Sequence, residues 1–130
     1  MNVPVAIIVV FLGVLILLFV LLSKRGKLTR LQHEFISSQW KSIARLSVTD
    51  PSKSIIEADK LLDWALRRRG YKGTLGEKLK KSEKLFADRI NDIWFAHKLR
   101  NGIVHEVGYS LKPHDARRAL AAFEDALHRL

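Results

Sequence analysis

The sequence predicts an all-α protein: a single N-terminal transmembrane helix followed by a four- to five-helix up-and-down bundle. Three observations carry this expectation. Residues 3–22, VPVAIIVVFLGVLILLFVLL, hold no charged or strongly polar side chain, and twenty residues at ~1.5 Å rise match the ~30 Å hydrocarbon core of a bilayer. Beyond that run, apolar residues recur at steps of three and four, the period of helices with one buried face. No segment alternates apolar and polar residues as a half-buried strand does, and there is no internal repeat. The chain therefore divides into an anchor (1–23), a basic juxtamembrane segment (24–30) and a helical bundle (31–130).

The apolar run reads as an anchor rather than a cleaved signal peptide. Met1 and Asn2 bring no basic side chain, and Ser23, Lys24 and Arg25 follow the run directly instead of a small-residue cleavage pattern. Lys24, Arg25, Lys27 and Arg30 cluster just beyond it. Positive residues are retained on the cytoplasmic side, so the N-terminus is expected outside the cell membrane and the main domain in the cytoplasm. The whole 130-residue chain carries 23 Lys+Arg against 13 Asp+Glu, a formal charge of +10. Such an excess favours phosphate-bearing partners, either RNA or anionic lipid headgroups. Cysteine is absent, which excludes disulfides, zinc thiolate sites and thiol catalysis.

The first helix of the soluble part is expected from Leu28 to Ser47, with Leu28, Leu31, Phe35, Ile43 and Leu46 at helical spacing and Trp40 offset to one edge. Asp50 and Pro51 then supply a start signal: a carboxylate for orphan amide hydrogens, and an imino acid at the position that needs no N–H. The next helix presents Ile55, Ala58, Leu62, Ala65 and Leu66 on one face. Arg67, Arg68 and Arg69 suit the negative end of its dipole, and Gly70 can terminate it. Thr74 and Glu77 have capping-box spacing for a helix whose apolar face is Leu75, Leu79 and either Leu85 or Phe86. Lys78, Lys80, Lys81 and Lys84 read as its solvated sides. A further helix starts between Asp88 and Asp92 and runs through His105. After the loop EVGYSLKP, Pro113 opens the last helix, with Ala116, Ala119, Leu120, Phe123 and Leu127 as its stripe.

The stretch HKLRNGIVHE, residues 97–106, concentrates the chemistry. Ile90, Trp94, His97, Asn101 and His105 follow one another at steps of four, three, four and four, a seam suited to a neighbour such as a second copy of the chain. Ala96, Leu99 and Ile103 form a separate core stripe. Arg100 offers paired donors for a phosphate, His105 a proton carrier near neutral pH, and Asn101 an amide to orient either. Together they would permit metal-independent RNA cleavage by the ribose 2′-hydroxyl. The alternative is structural: Arg100 pairs with an acid such as Glu106 or Asp63, and Asn101 and His105 join helices by hydrogen bonds.

Arg100, the adjacent Asn101 and His105 after four intervening residues from Arg100 resemble the motif of the HEPN superfamily of helical domains, over roughly residues 31–130. That resemblance implies a homodimer in which two motif-bearing helices meet, with Arg100, Asn101 and His105 as the catalytic set of a ribonuclease. His97, Lys98 and Glu106 are expected to flank it as binding residues. No metal or cofactor is expected. A soluble toxin of that superfamily would lack the anchor, so a membrane-tethered variant is expected, either an endoribonuclease or a non-catalytic scaffold that dimerises or docks a protein partner.

Overall fold

A computed structural model describes residues 2–23 and 26–130, and every regular element among them is helical. In chain order these are α1 (Val3–Ser23), α2 (Arg30–Thr49), α3 (Pro51–Arg68), α4 (Leu75–Lys81), α5 (Glu83–Phe86), a 3-10 turn (Ala87–Arg89), α6 (Ile90–His105) and α7 (Pro113–His128). Helix α1 is long and apolar enough to cross a membrane, and the rest of the chain buries none of its Val3–Leu22 span. Lys24 and Arg25 of the expected juxtamembrane cluster lie outside the described residues.

Helix α2 begins later than its periodicity suggests because Thr29 caps it. The Thr29 hydroxyl accepts from the Gln32 amide at 3.2 Å, and the Gln32 side-chain oxygen accepts from the Thr29 amide at 2.9 Å, a reciprocal box that satisfies two orphan donors. Leu28, just ahead of the cap, is buried. The expected stripe is corrected here. Leu31 is 76% exposed and Phe35 is 43% exposed, while the face turned inward runs through Ile36 and Ile43, with half-buried Trp40 packed beside them.

Asp50 closes α2 and opens α3. Its amide donates to the Leu46 carbonyl at 2.8 Å, and its carboxylate accepts from the Lys53 amide at 3.0 Å. Helix α3 is the central element, packed against α2, α4, α6 and α7. Ile55, Ala58, Leu62, Ala65 and Leu66 are all buried, as expected, and Asp59 is buried among them. The helix ends at Gly70, whose φ of 94° is open to glycine, and the Tyr71 amide returns to the Leu66 carbonyl at 3.1 Å.

Thr74 caps α4 by accepting from the Glu77 amide at 3.2 Å. Leu75, Leu79 and Phe86 are buried, but the helix is interrupted at Ser82, whose hydroxyl donates to the Lys78 carbonyl at 2.7 Å. The solvated-lysine expectation fails at one position. Lys78 is 1% exposed, with its ammonium 2.6 Å from an Asp63 carboxylate oxygen; Lys80, Lys81 and Lys84 remain exposed.

Helices α6 and α7 pack on each other and on α3. Ile93, Ala96 and Leu99 of α6 and Ala116, Ala119, Phe123 and Leu127 of α7 are buried; Ile103 and Leu120 are half-buried. Two ends of the domain can be distinguished. At one, the Arg69 guanidinium donates to the Leu130 carbonyl at 2.9 Å, and the first turns of α2 share a groove with the last turns of α7 through His33, Ile36, Leu127 and His128. At the other, Ser47, Pro51 and Ser52 border a groove with Tyr109, Leu111 and Pro113 of the α6–α7 loop.

Candidate functional site

The contact of α3 with α6 places a carboxylate opposite the motif. Asp59 occupies the buried stripe of α3, and α6 brings His97 and Arg100 to it. His97 Nδ1 lies 2.8 Å from Asp59 Oδ1; since a carboxylate only accepts, Nδ1 carries the proton of this bond. Arg100 Nε lies 3.4 Å from Asp59 Oδ2. That separation is within ion-pair range, yet Arg100 Nε is buried without a hydrogen-bond partner, so the attraction is Coulombic and not directional. Arg100 Nη1 donates to the Asn101 side-chain oxygen at 3.0 Å. The result is a four-residue relay, His97–Asp59–Arg100–Asn101. Its side chains are 6% exposed at Asp59, 14% at His97 and 25% at Arg100.

The relay forms one wall of an open cleft of about 490 Å³. Helix α3 contributes Lys60, Asp63 and Arg67 to that cleft, the segment before α4 contributes Gly73 and Thr74, and α6 contributes His97, Arg100 and Asn101. Asp63, one turn beyond Asp59, is held by buried Lys78 at 2.6 Å and by Arg67 at 3.2 Å. Each carboxylate is thus answered by two partners. Lys60 faces Glu57 at 3.0 Å on the exposed side, so Lys60, Arg67 and Arg100 each reach the opening with an acid beside them.

The motif residues separate into two groups. His97, Arg100 and Asn101 share the cleft, whereas Lys98, His105 and Glu106 are exposed and do not line it. His105 has no hydrogen-bond or ion-pair partner among the described residues. Five residues at ~100° each put His105 about 140° around the helix from Arg100, and α6 stays helical through His105. Gly102 itself faces the Tyr109 ring so closely that a Cβ there would fall 2.6 Å from a ring carbon.

Two expectations are corrected by this geometry. The acid paired with Arg100 is Asp59, not Glu106 or Asp63: Glu106 is exposed beyond the helix end, and Asp63 is already engaged by Lys78 and Arg67. The seam is also divided, because His97 turns into its own fold toward α3 while His105 stays in solvent. Asp59 was missed, although the signal was there: an acid inside an otherwise apolar stripe of α3 is costly to bury without a cationic partner. Trp94 and Trp64 are half-buried on the core. Trp94 meets His97 edge-on at 6.1 Å, and Trp64 packs against Phe35 at 4.6 Å, contacts that suit packing residues.

No family model matches the chain, and no curated protein or solved structure matches it either, so the reading of this site rests on its residues and their geometry.

Proposed function

We propose that the chain is a membrane-anchored cytoplasmic domain, HEPN-like in its motif, that self-associates along α6 and receives RNA there. The observation that carries this reading is that Arg100 and Asn101 open onto a cleft rimmed by Lys60 and Arg67 instead of being sealed in the core. A guanidinium at such an opening can meet a phosphodiester with paired donors. Exposed His105 lies one turn further along α6, next to exposed Val104 and Val107, an apolar border suited to a second copy of the chain. A helix from that copy could carry its His105 to the first copy's Arg100, the juxtaposition that one protomer lacks.

In this reaction the 2′-oxygen attacks the adjacent phosphorus as His105 accepts its proton. Arg100 stabilises the charge gathering on the phosphoryl oxygens, and Asn101 orients the guanidinium it already touches. The 5′-oxygen leaves and takes up a proton, giving a 2′,3′-cyclic phosphate and a 5′-hydroxyl. Asp59 acts by holding His97 and Arg100 in place.

The test uses the full chain in lipid nanodiscs, single-stranded RNA and a metal chelator. Cyclic-phosphate ends are expected from the native chain and are lost in His105→Ala, which breaks no hydrogen bond or ion pair among the described residues and should leave the fold intact. RNA that is neither bound nor cut by a folded, dimeric chain refutes the proposal. A second reading, a non-catalytic dimerisation scaffold, is favoured by the pairing of Arg100 with Asp59. It requires Arg100→Ala to lower stability while the native chain, like His105→Ala, leaves RNA uncut.

A further inference from the structure

We infer that the end of the domain built from the start of α2, the end of α3 and the end of α7 is a docking face for anionic headgroups of the bilayer that α1 crosses. The inference rests on the membrane-anchor reading above and adds an orientation to it. Leu28 is buried in the domain core and stands six residues beyond Leu22, the last residue of the apolar span. A chain advances at most ~3.5 Å per residue, so Leu28 lies within about 20 Å of the hydrocarbon edge. Headgroups occupy roughly 5–8 Å of that distance, and the remainder is close to the ~10 Å Debye length at 0.1 M salt. The tether alone keeps this end of the domain within about one and a half Debye lengths of the headgroups.

The face presented at that end is cationic. Exposed Lys27 and Arg30 flank Leu28, exposed Arg68 closes α3, and exposed Arg129 follows α7; the Arg69–Leu130 hydrogen bond fixes the last two elements side by side. Arg30 pairs with Glu34 at 3.0 Å, a surface contact that competes poorly with a headgroup, whereas Arg129 is held by Asp125 at 2.9 Å and by the Phe86 carbonyl at 3.4 Å. Lys27 and Arg68 have no ion-pair partner among the described residues, and the Arg68 guanidinium rests over the Trp64 ring at 5.3 Å. A basic residue near an anionic surface favours the docked state by about fivefold. The opposite end mixes signs, with Asp50, Glu106 and Asp115 among Lys53, Lys112 and Arg117, so the attraction is stronger at the tethered end. Docking in this sense leaves His105 and the end of α6 facing away from the lipid.

Because the chain has no cysteine, one introduced thiol reports one position. The full chain carrying a fluorophore at His128→Cys, on the cationic face, or at Lys53→Cys, at the opposite end, is reconstituted in nanodiscs with a headgroup-attached acceptor. The lipid is phosphatidylcholine alone or mixed with phosphatidylserine. At position 128 the docked-to-free ratio is expected to rise by at least about tenfold in the mixed lipid, to return to the neutral-lipid value in high salt, and to collapse in Lys27→Glu/Arg30→Glu/Arg68→Glu. At position 53, which docking turns away from the bilayer, energy transfer to the headgroup acceptor does not rise. Native tryptophan emission confirms that the triple variant is folded, and the salt titration tests the native chain independently of it. Equal transfer in both lipids, insensitivity to salt, or displacement of the face from mixed-lipid nanodiscs by single-stranded RNA overturns the inference while the anchor reading stands. Failure of the chain to incorporate into bilayers overturns both.

Discussion

Removing Asp59 tests whether the relay holds α6 to α3. Asp59→Ala leaves the His97 Nδ1–H without an acceptor and the Arg100 guanidinium without its counter-charge, in surroundings where the three side chains are 6%, 14% and 25% exposed. A hydrogen bond to a charged acceptor is worth ~1.5–3 kcal/mol. Because Arg100 is partly solvated, its stranded charge adds only about 1 kcal/mol, and the expected loss is about 3 kcal/mol. For a domain of this size that corresponds to a melting-point drop of roughly 10–20 °C. Asp59→Asn can still accept from His97 but cannot neutralise Arg100, so it should lose about half as much. Urea unfolding in micelles, followed by tryptophan emission, measures this in the full chain. Trp40, Trp64 and Trp94 all pack on the domain core and α1 contains no tryptophan, so the signal reports the domain and not α1. An Asp59→Ala variant within about 0.5 kcal/mol of the native chain would refute the reasoning, as would additive effects of Asp59→Ala and Arg100→Met.

The neighbouring pair should respond asymmetrically. Asp63→Ala strands the Lys78 ammonium, which is 1% exposed, and is expected to cost about 3–5 kcal/mol; Lys78→Met leaves Asp63 still paired with Arg67 and should cost well under half of that, an order that paired urea titrations would reverse if Lys78 were not truly buried. Gly102→Ala forces a methyl into the Tyr109 ring and should destabilise by about 1–3 kcal/mol. Much of that loss should be recovered in the double variant with Tyr109→Ala, and equal, additive losses in a mutant cycle would show that the two residues do not touch.

Helices α3 and α7 were legible because their apolar residues mark one stripe and their ends carry explicit signals, Asp50-Pro51, Gly70 and Pro113. Helix α2 was legible as a helix but not as a face. Leu31 and Phe35 are as apolar as Ile36 and Ile43, and only packing against α3 and α7 decides which pair turns inward. Lys78 was misread because a lysine on a lysine-rich helix gives no local sign that a carboxylate from another helix waits for it. The motif residues could be found by spacing, yet their partners could not: Asp59 and Asp63 lie one turn apart, and the crossing of α6 over α3 alone selects which of them meets Arg100. The separation of His105 from Arg100 is legible in the sequence, because five residues on a helix put the two about 140° apart.

Asp50 serves two helices at once, ending α2 with its amide and starting α3 with its carboxylate. The joint between a 20-residue and an 18-residue helix is therefore a single amino acid, with no slack to absorb bending. Two rods of roughly 30 and 27 Å meet at that joint, the second bearing the aspartate that grips the arginine. With α2 also packed against α3, so short a joint holds the two as one antiparallel hairpin and fixes the height of the aspartate along both.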